Sequence, residues 1–197
     1  SSTGGYKYTT YALAQDLQPM HSALADLSPV RGVGYFDADV GLYFDRYFQG
    51  GGRNWLQTIE PRLLYLRQGY ADQSTLPIFD TTDMPLSYSQ LFRKERFVGL
   101  DRMADANQVV FGFSSRLLSA DSSEEYASYS LGKIFYLETP RVGLLDRVES
   151  PQSASSESIV SEFNLRFGTR WQFDSHQTWS SQTERWQELG AAVHYRL

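Results

Sequence analysis

Ser158-Ile-Val-Ser-Glu-Phe-Asn-Leu-Arg-Phe167 is the stretch on which the fold of this chain turns. Successive side chains of an extended strand point to opposite faces, so Ile159, Phe163, Leu165 and Phe167 share one face while Glu162, Asn164 and Arg166 share the other. A half-buried sheet in a soluble protein could divide one strand this way, but here the division recurs. Gly34, Phe36, Ala38, Val40, Leu42 and Phe44 oppose Tyr35, Asp37, Asp39, Tyr43 and Asp45; Leu189, Ala191, Val193, Tyr195 and Leu197 oppose Glu188, Gly190, His194 and Arg196. This is the pattern of a transmembrane β-barrel strand, with lipid on one side and a polar lumen on the other.

Composition supports the same class. Aromatic residues make up 15% of the 197 residues, yet mean hydropathy is only -0.42. No apolar run approaches the ~18 residues of a spanning helix. Alternating strands reconcile these facts, because each lipid-facing residue is offset by a polar neighbour. The lack of cysteine rules out disulfides and thiolate metal sites, and a net charge of -5 gives no basic excess for nucleic acid. No secretion signal opens the sequence, so an exported protein would be represented here by a processed or internal piece.

The alternation predicts about eight strands: Tyr6 to Asp16, Gly32 to Phe48, Trp55 to Arg67, Gln108 to Leu118, Glu125 to Glu138, Ser158 to Phe167, Trp171 to Trp179 and Trp186 to Leu197. Connections at 17–31, 68–107, 139–157 and 180–185 are mostly long, while those at 49–54, 119–124 and 168–170 are short. Long loops thus gather at one rim, and short periplasmic turns with longer extracellular loops orient an outer-membrane barrel. All four tryptophans fall at strand ends, as in an aromatic girdle; anchoring the core of a soluble β-sandwich is the ordinary alternative. Lys133 breaks the pattern, since it shares parity with Leu131 and Phe135, and it requires either snorkelling to a rim or a bulge near Gly132.

Motifs for chemistry are weak. Gly32-Val-Gly34 opens a strand and lacks a third glycine, so it is no dinucleotide fingerprint. Asp37, Asp39 and Gly41 imitate part of a calcium loop, but the apolar residues between them favour lumen-facing carboxylates. His21, His176 and His194 have neither metal-ligand spacing nor a nucleophile signature nearby. No catalytic residue, cofactor or metal is therefore expected. Glu60-Pro61-Arg62 places two opposite charges on one face around a proline that removes a ladder donor. The connection that follows, 68–107, exceeds the ~12–15 residues of a simple loop, and its apolar content favours an ordered element at the barrel mouth or in the lumen.

At these residues the sequence resembles the LptD family of outer-membrane lipopolysaccharide-assembly proteins, also known as OstA or Imp. The resemblance is carried by Glu60-Pro61-Arg62 with Tyr65, Leu91-Phe92-Arg93, Gly99-Leu100-Asp101-Arg102, Ala106-Asn107-Gln108 leading to Ser115-Arg116, and Ser130-Leu-Gly-Lys-Ile-Phe-Tyr136. Phe44-Asp45-Arg46 fits the preceding strand, and the match is concentrated between 44 and 137. It implies a non-enzymatic conduit that moves lipopolysaccharide to the outer leaflet of the bacterial outer membrane. It also implies an LptE-like plug lipoprotein in the lumen, and a periplasmic lipopolysaccharide-bridge protein engaged through domains not seen here. Family barrels have more than ~20 strands. The chain therefore reads as a middle section of a larger wall, without assignable gate residues.

The expected fold is an all-β antiparallel transmembrane barrel segment spanning 1–197 with a long ordered loop at 68–107. Leu91, Phe92, Arg93, Arg96, Gly99, Asp101, Arg102 and Asn107 form the candidate conduit-mouth or partner-contact element. Charges within it (Arg93, Lys94, Arg96 and Arg102 against Glu95, Asp101 and Asp105) are expected to pair internally, with Phe92, Phe97 and Leu100 as apolar anchors. Asp37, Asp39, Glu60, Arg62, Arg116, Glu162, Arg166, Glu188 and Arg196 are the candidate lumen-facing residues. A small self-closed barrel with an anchoring or adhesive role, and a soluble carbohydrate-binding sandwich, are the competing readings.

Overall fold

The computed structural model describes residues 1–11, 30–74, 76, 78, 80–84, 86–99, 101–143, 158–181 and 184–196. Its strands are β1 (Ser2–Thr10), β2 (Val30–Gly41), β3 (Phe44–Gly50), β4 (Arg53–Gln68), β5 (Thr82–Asp83), β6 (Phe97–Val98), β7 (Ala106–Ser119), β8 (Glu125–Tyr136), β9 (Ser158–Phe167), β10 (Trp171–Ser180) and β11 (Arg185–Tyr195), with one helical turn, α1 (Tyr88–Leu91). The large sheet runs β1-β2-β4-β7-β8-β9-β10-β11, with β3 paired to β4 beyond the end of β2, and every pairing is antiparallel. With β2 and β3 taken as one path and β5 and β6 paired only with each other, successive strands of the large sheet lie side by side, as in a meander. β1 and β11 stand at the two edges, so the sheet is open.

Three local features follow from particular residues. β2 and β3 keep a single register against β4, Gly41 opposite Arg62 and Phe44 opposite Ile59. The gap between them faces Pro61, whose ring nitrogen has no hydrogen to donate; Leu42 N still donates to Pro61 O at 3.0 Å. The strand expected from Gly32 to Phe48 is thus one path interrupted by a proline. At the β3–β4 turn, Gly51 and Gly52 have φ of +58° and +73°, the pair of positive values that a two-residue hairpin loop needs. Bulges fall at Leu117/Leu118 opposite β8 and at Thr178/Trp179 opposite β11, not at Gly132, which pairs Gly112 and Val160 in unbroken ladders.

The first strand starts earlier than expected and ends at Thr10, because Tyr6 and Tyr8 alternate with Lys7 and Thr9 along β2; residues 12–16 and Leu197, expected in strands, lie outside the described residues, as do His21 and Leu100.

The two faces differ as alternation requires. One carries large apolar side chains in the open, among them Leu63, Phe111, Phe135, Phe167, Leu189 and Val193, with Leu189 at 68% and Val193 at 64% exposure. At its ends sit aromatic pairs: Trp171–Tyr195 beside the short turns, and Trp179–Trp186 beside the long connections, with ring centroids 4.6 and 5.0 Å apart. Trp186 reaches this face only because of the bulge opposite Thr178/Trp179. Lys133 also stands here and extends its ammonium past the Phe135 ring toward Ser181 Oγ, 3.5 Å away at the long-connection rim. That is snorkelling, not a register shift.

A loop clamped to the polar face: candidate functional site

The opposite face is polar at the short-turn end and covered at the other by the 69–105 segment. Ser87 caps α1 with its side-chain oxygen, and the turn sets Leu91 and Phe92 down on the sheet. Leu64, Val110, Ile134 and Val160, one from each of β4, β7, β8 and β9, form the floor; Leu91 and Phe92 complete a single buried cluster, with Leu64, Leu91 and Val160 at 1% exposure and Val110 at 0%. Burying Leu91 alone contributes roughly 1.5–3 kcal/mol. The contact is this close because Gly112 and Gly132 are register partners in the middle of β7 and β8. A Cβ on Gly112 would lie 2.4 Å from Phe92 Cζ, and one on Gly132 would lie 2.5 Å from Leu91 Cδ1.

Charges hold the rim of this contact. Arg62 forms a bidentate pair with Asp39 at 3.0 and 2.5 Å, while its guanidinium carbon stands 4.3 Å from the Phe92 ring centroid, a cation–π geometry. Glu162 accepts the Tyr88 backbone N–H at 2.8 Å, reaching over from β9. Burial pushes the Tyr88 phenol upward, against the opposing pull of its Ser114 hydrogen bond and of Arg62. Lys94 pairs at 2.8 Å with Asp37, whose side chain is 2% exposed, and Glu95 pairs with Lys7 of β1. A cleft of about 320 Å³ remains between loop and wall, lined by Leu66, Ile134 and Tyr136 as well as by Arg93, Lys94 and Arg96.

Farther along the loop the contacts become a buried polar knot. The Gln73 amide exchanges two bonds with the Met103 backbone at 2.8 and 3.0 Å, Arg31 donates to Gln73 Oε1 at 2.6 Å and to the Asp101 carbonyl at 2.7 Å, and Arg102 donates to the Gln73 carbonyl. Asp101 accepts from Asp80 N at 2.9 Å and Thr81 Oγ1 at 3.3 Å; Asp105 accepts from the backbone of Arg141 and Val142, both at 2.8 Å. The expectation of pairing within the loop is therefore corrected for Lys94, Glu95 and Asp105: these ions reach the wall strands and the 137–143 segment, because the loop lies flat on them.

The segment from 2 to 197 matches the family model described as LptD, LPS transport system D. The chain belongs to the LptD family. Among its LptD relatives, the LPS-assembly protein LptD of Xanthomonas oryzae pv. oryzae (strain MAFF 311018) is 35% identical over 190 residues, covering 93% of this chain and 23% of the relative. The LPS-assembly protein LptD of Pseudomonas putida (strain W619) is 33% identical over 206 residues, covering 97% of this chain and 22% of that protein. The chain therefore spans less than a quarter of the length of these LptD proteins.

Of the other candidate residues, Arg93 donates to Met84 Sδ, Arg96 stacks on Phe97 at 5.1 Å and Gly99 takes a φ of +93°. Asn107 is separate from the clamp: it joins the Tyr65 hydroxyl to Glu138 at the strand ends. Glu60 and Arg116 pair at 2.5 Å on the same face as Glu162. Arg166 pairs with Glu124 at 2.8 Å and Glu188 with His176 at 2.9 Å, away from the loop, while Arg196 lies past the end of β11. Asp37 and Asp39, the calcium-like pair, each face a cation. Gln73, Lys7 and the two glycines were not singled out from the sequence as partners of the loop. The glycines did carry a signal, since an isolated glycine inside a strand pattern marks close approach of another group.

Lys94→Met should weaken loop docking by about 2 kcal/mol, below the ~3–5 kcal/mol of a fully buried pair because the lysine is half exposed. Faster proteolysis within 69–105 would report it. Adding Asp37→Asn should restore part of the protection by removing the stranded carboxylate.

Proposed function

We propose that this chain is one section of the wall of an outer-membrane β-barrel that moves lipopolysaccharide and inserts it into the outer leaflet. The observation that carries this reading is the two-faced sheet of an LptD-family chain, apolar and uncovered on one side and ionic on the other. The apolar face meets lipid. The face bearing Asp37, Asp39, Glu60, Arg62, Arg116, Glu162, Arg166, Glu188 and Arg196 lines the lumen, through which the sugar head group passes. The 69–105 segment sits at the long-loop mouth as a fixed element, placed to meet an LptE-like plug lipoprotein or the passing glycolipid. The periplasmic lipopolysaccharide-bridge protein is engaged by other parts of the longer protein. No reaction is catalysed; the residues guide and seal.

The open edges and the coverage of the relatives support a section of a larger barrel over a self-closed one. A soluble sandwich needs a second layer over the apolar face, and among the described residues none packs there.

Epitope tags inserted at 72–74 or within 144–157 should be reached by antibody on intact cells, whereas tags at 51–52 or 121–122 should need permeabilisation. Equal labelling of both sets would overturn the orientation. Shutting off the full-length gene product in its own host should halt arrival of new lipopolysaccharide at the surface; undisturbed arrival would overturn the cargo.

A further inference from the structure

Snorkelling accounts for how Lys133 reaches the rim, but not for what a cation does on that face. The residue belongs to an interior strand with both ladders in place. It pairs with Phe111 of β7 and Ile159 of β9, and beyond them the same row holds Leu63 of β4 and Trp179 of β10. Along its own strand, Leu131 and Phe135 flank it on the same face. A lysine is thus set among apolar side chains on all four sides, and these surroundings owe nothing to a sheet border. Its ammonium makes one long contact, to Ser181 Oγ at 3.5 Å, and stands 5.0 Å from the centroid of the Phe135 ring. An ammonium carries three donors, so these contacts leave it capacity to bind. Among the described carboxylates of this rim, Glu138 is taken by Asn107 at 2.6 Å, and Glu184, three residues on from Ser181, forms no ion pair with the lysine.

The row also places Lys133 beside the aromatic belt of the long-connection rim, since Trp179 belongs to it and packs edge-on against Trp186. Such belts mark the level of lipid head groups. Phe111 and Phe135, each 46% exposed, and Leu63 form an apolar bed next to the lysine stem.

We propose that Lys133 binds a phosphate of a phosphorylated glycolipid lodged against the outside of the wall at the long-connection rim. The ammonium acts as a point charge on the phosphate, while the acyl chains lie along Phe111, Phe135 and Leu63. Charge selects an anionic lipid. The glycolipid is selected over a glycerophospholipid by the orientation proposed above, which puts this rim in the leaflet that receives the cargo. The inference rests on that orientation and adds a site for delivered lipid that is separate from the lumen.

The test places p-benzoylphenylalanine at position 111, beside Lys133, in the full-length protein in detergent, and follows light-induced crosslinking as diphosphoryl lipid A is added. The same photoreactive residue in place of Phe163, four residues from Ile159 on the same face, reports lipid contact that needs no cation. Lys133→Gln should raise the concentration for half-maximal crosslinking at position 111 roughly tenfold, Lys133→Arg should keep it near wild type, and crosslinking at position 163 should not change. Lipid A stripped of its phosphates should crosslink alike to the wild type and to Lys133→Gln. Equal half-saturation of those two by diphosphoryl lipid A would overturn the site. A loss in Lys133→Gln that is just as large with the stripped lipid would overturn phosphate recognition, leaving only packing of the lysine stem. Equal competition by phosphatidylglycerol would overturn the glycolipid assignment, and displacement by inorganic phosphate at equal concentration would overturn the lipid one. Equal tag labelling of the two loop sets would instead sink the orientation, which the detergent titration does not read.

Discussion

Replacing Gly112 and Gly132 together by valine should lift the 86–93 segment off the sheet and produce the largest loss of assembled protein among single-site or paired changes in this chain. The new side chains would occupy the space of Phe92 and Leu91, and at Gly132 the Phe111 carbonyl, 3.2 Å from the added Cβ, closes the retreat on the other side. Overpacking costs about 1–3 kcal/mol per site. The only escape is undocking, which exposes Leu91 and Phe92, breaks the Arg62 stacking and strips Glu162 of the Tyr88 N–H. Valine itself favours extended backbone, so the strands should survive. The expected signature is therefore selective: rapid proteolysis within 69–105 and poor recovery of assembled protein, with β content retained. Gly132→Ala alone should show a weaker form of the same defect. Loss of β content with a protected loop would mean that the glycines serve the strands and not the loop.

The second large effect separates the faces by one residue. Phe163→Arg puts a cation midway along β9 on the apolar face, where on the proposed membrane placement a lipid-exposed arginine costs ~2–4 kcal/mol at the bilayer midplane, and it also removes the Phe173 ring contact at 6.2 Å. Asn164→Arg places the same side chain one position along, on the ionic face, losing only a hydrogen bond to Ser128 Oγ at 3.2 Å. Folding of the full-length protein into lipid vesicles should suffer markedly in the first variant and little in the second. The reverse order would show that the faces are exchanged.

Strand pattern was legible because alternation is a local property: Ser158–Phe167 has the bounds expected from its sequence, and the parity of Leu189 and Val193 against Glu188 is that of the sheet. The proline break was half visible, since Pro61 announces a missing donor but not which partner strand it interrupts. Bulges were not legible. Trp186 counts with Glu188 in sequence but lies with Trp179 in space, because one additional residue is absorbed between the Thr178–Glu188 and Trp179–Trp186 pairs. In the loop, the apolar anchors Leu91 and Phe92 could be named from their type, whereas their seat could not, because it is made by glycines about twenty to forty residues later in the chain. The charges of the loop illustrate the same limit. Four cations against three anions suggested near self-neutralisation, but a segment lying against a charged wall finds partners across the contact at lower cost in chain distortion.

The unpaired outer sides of β1 and β11 have a consequence for the order of events during biogenesis. On the membrane placement proposed above, every outward N–H and C=O along those two borders must find a partner before hydrocarbon surrounds it, since lipid offers none. These strands are therefore barred from entering the bilayer as an independent unit, and in water their bare borders would recruit one another into aggregates. On that placement, insertion has to wait until both borders are paired. Until then both seams need shielding at once.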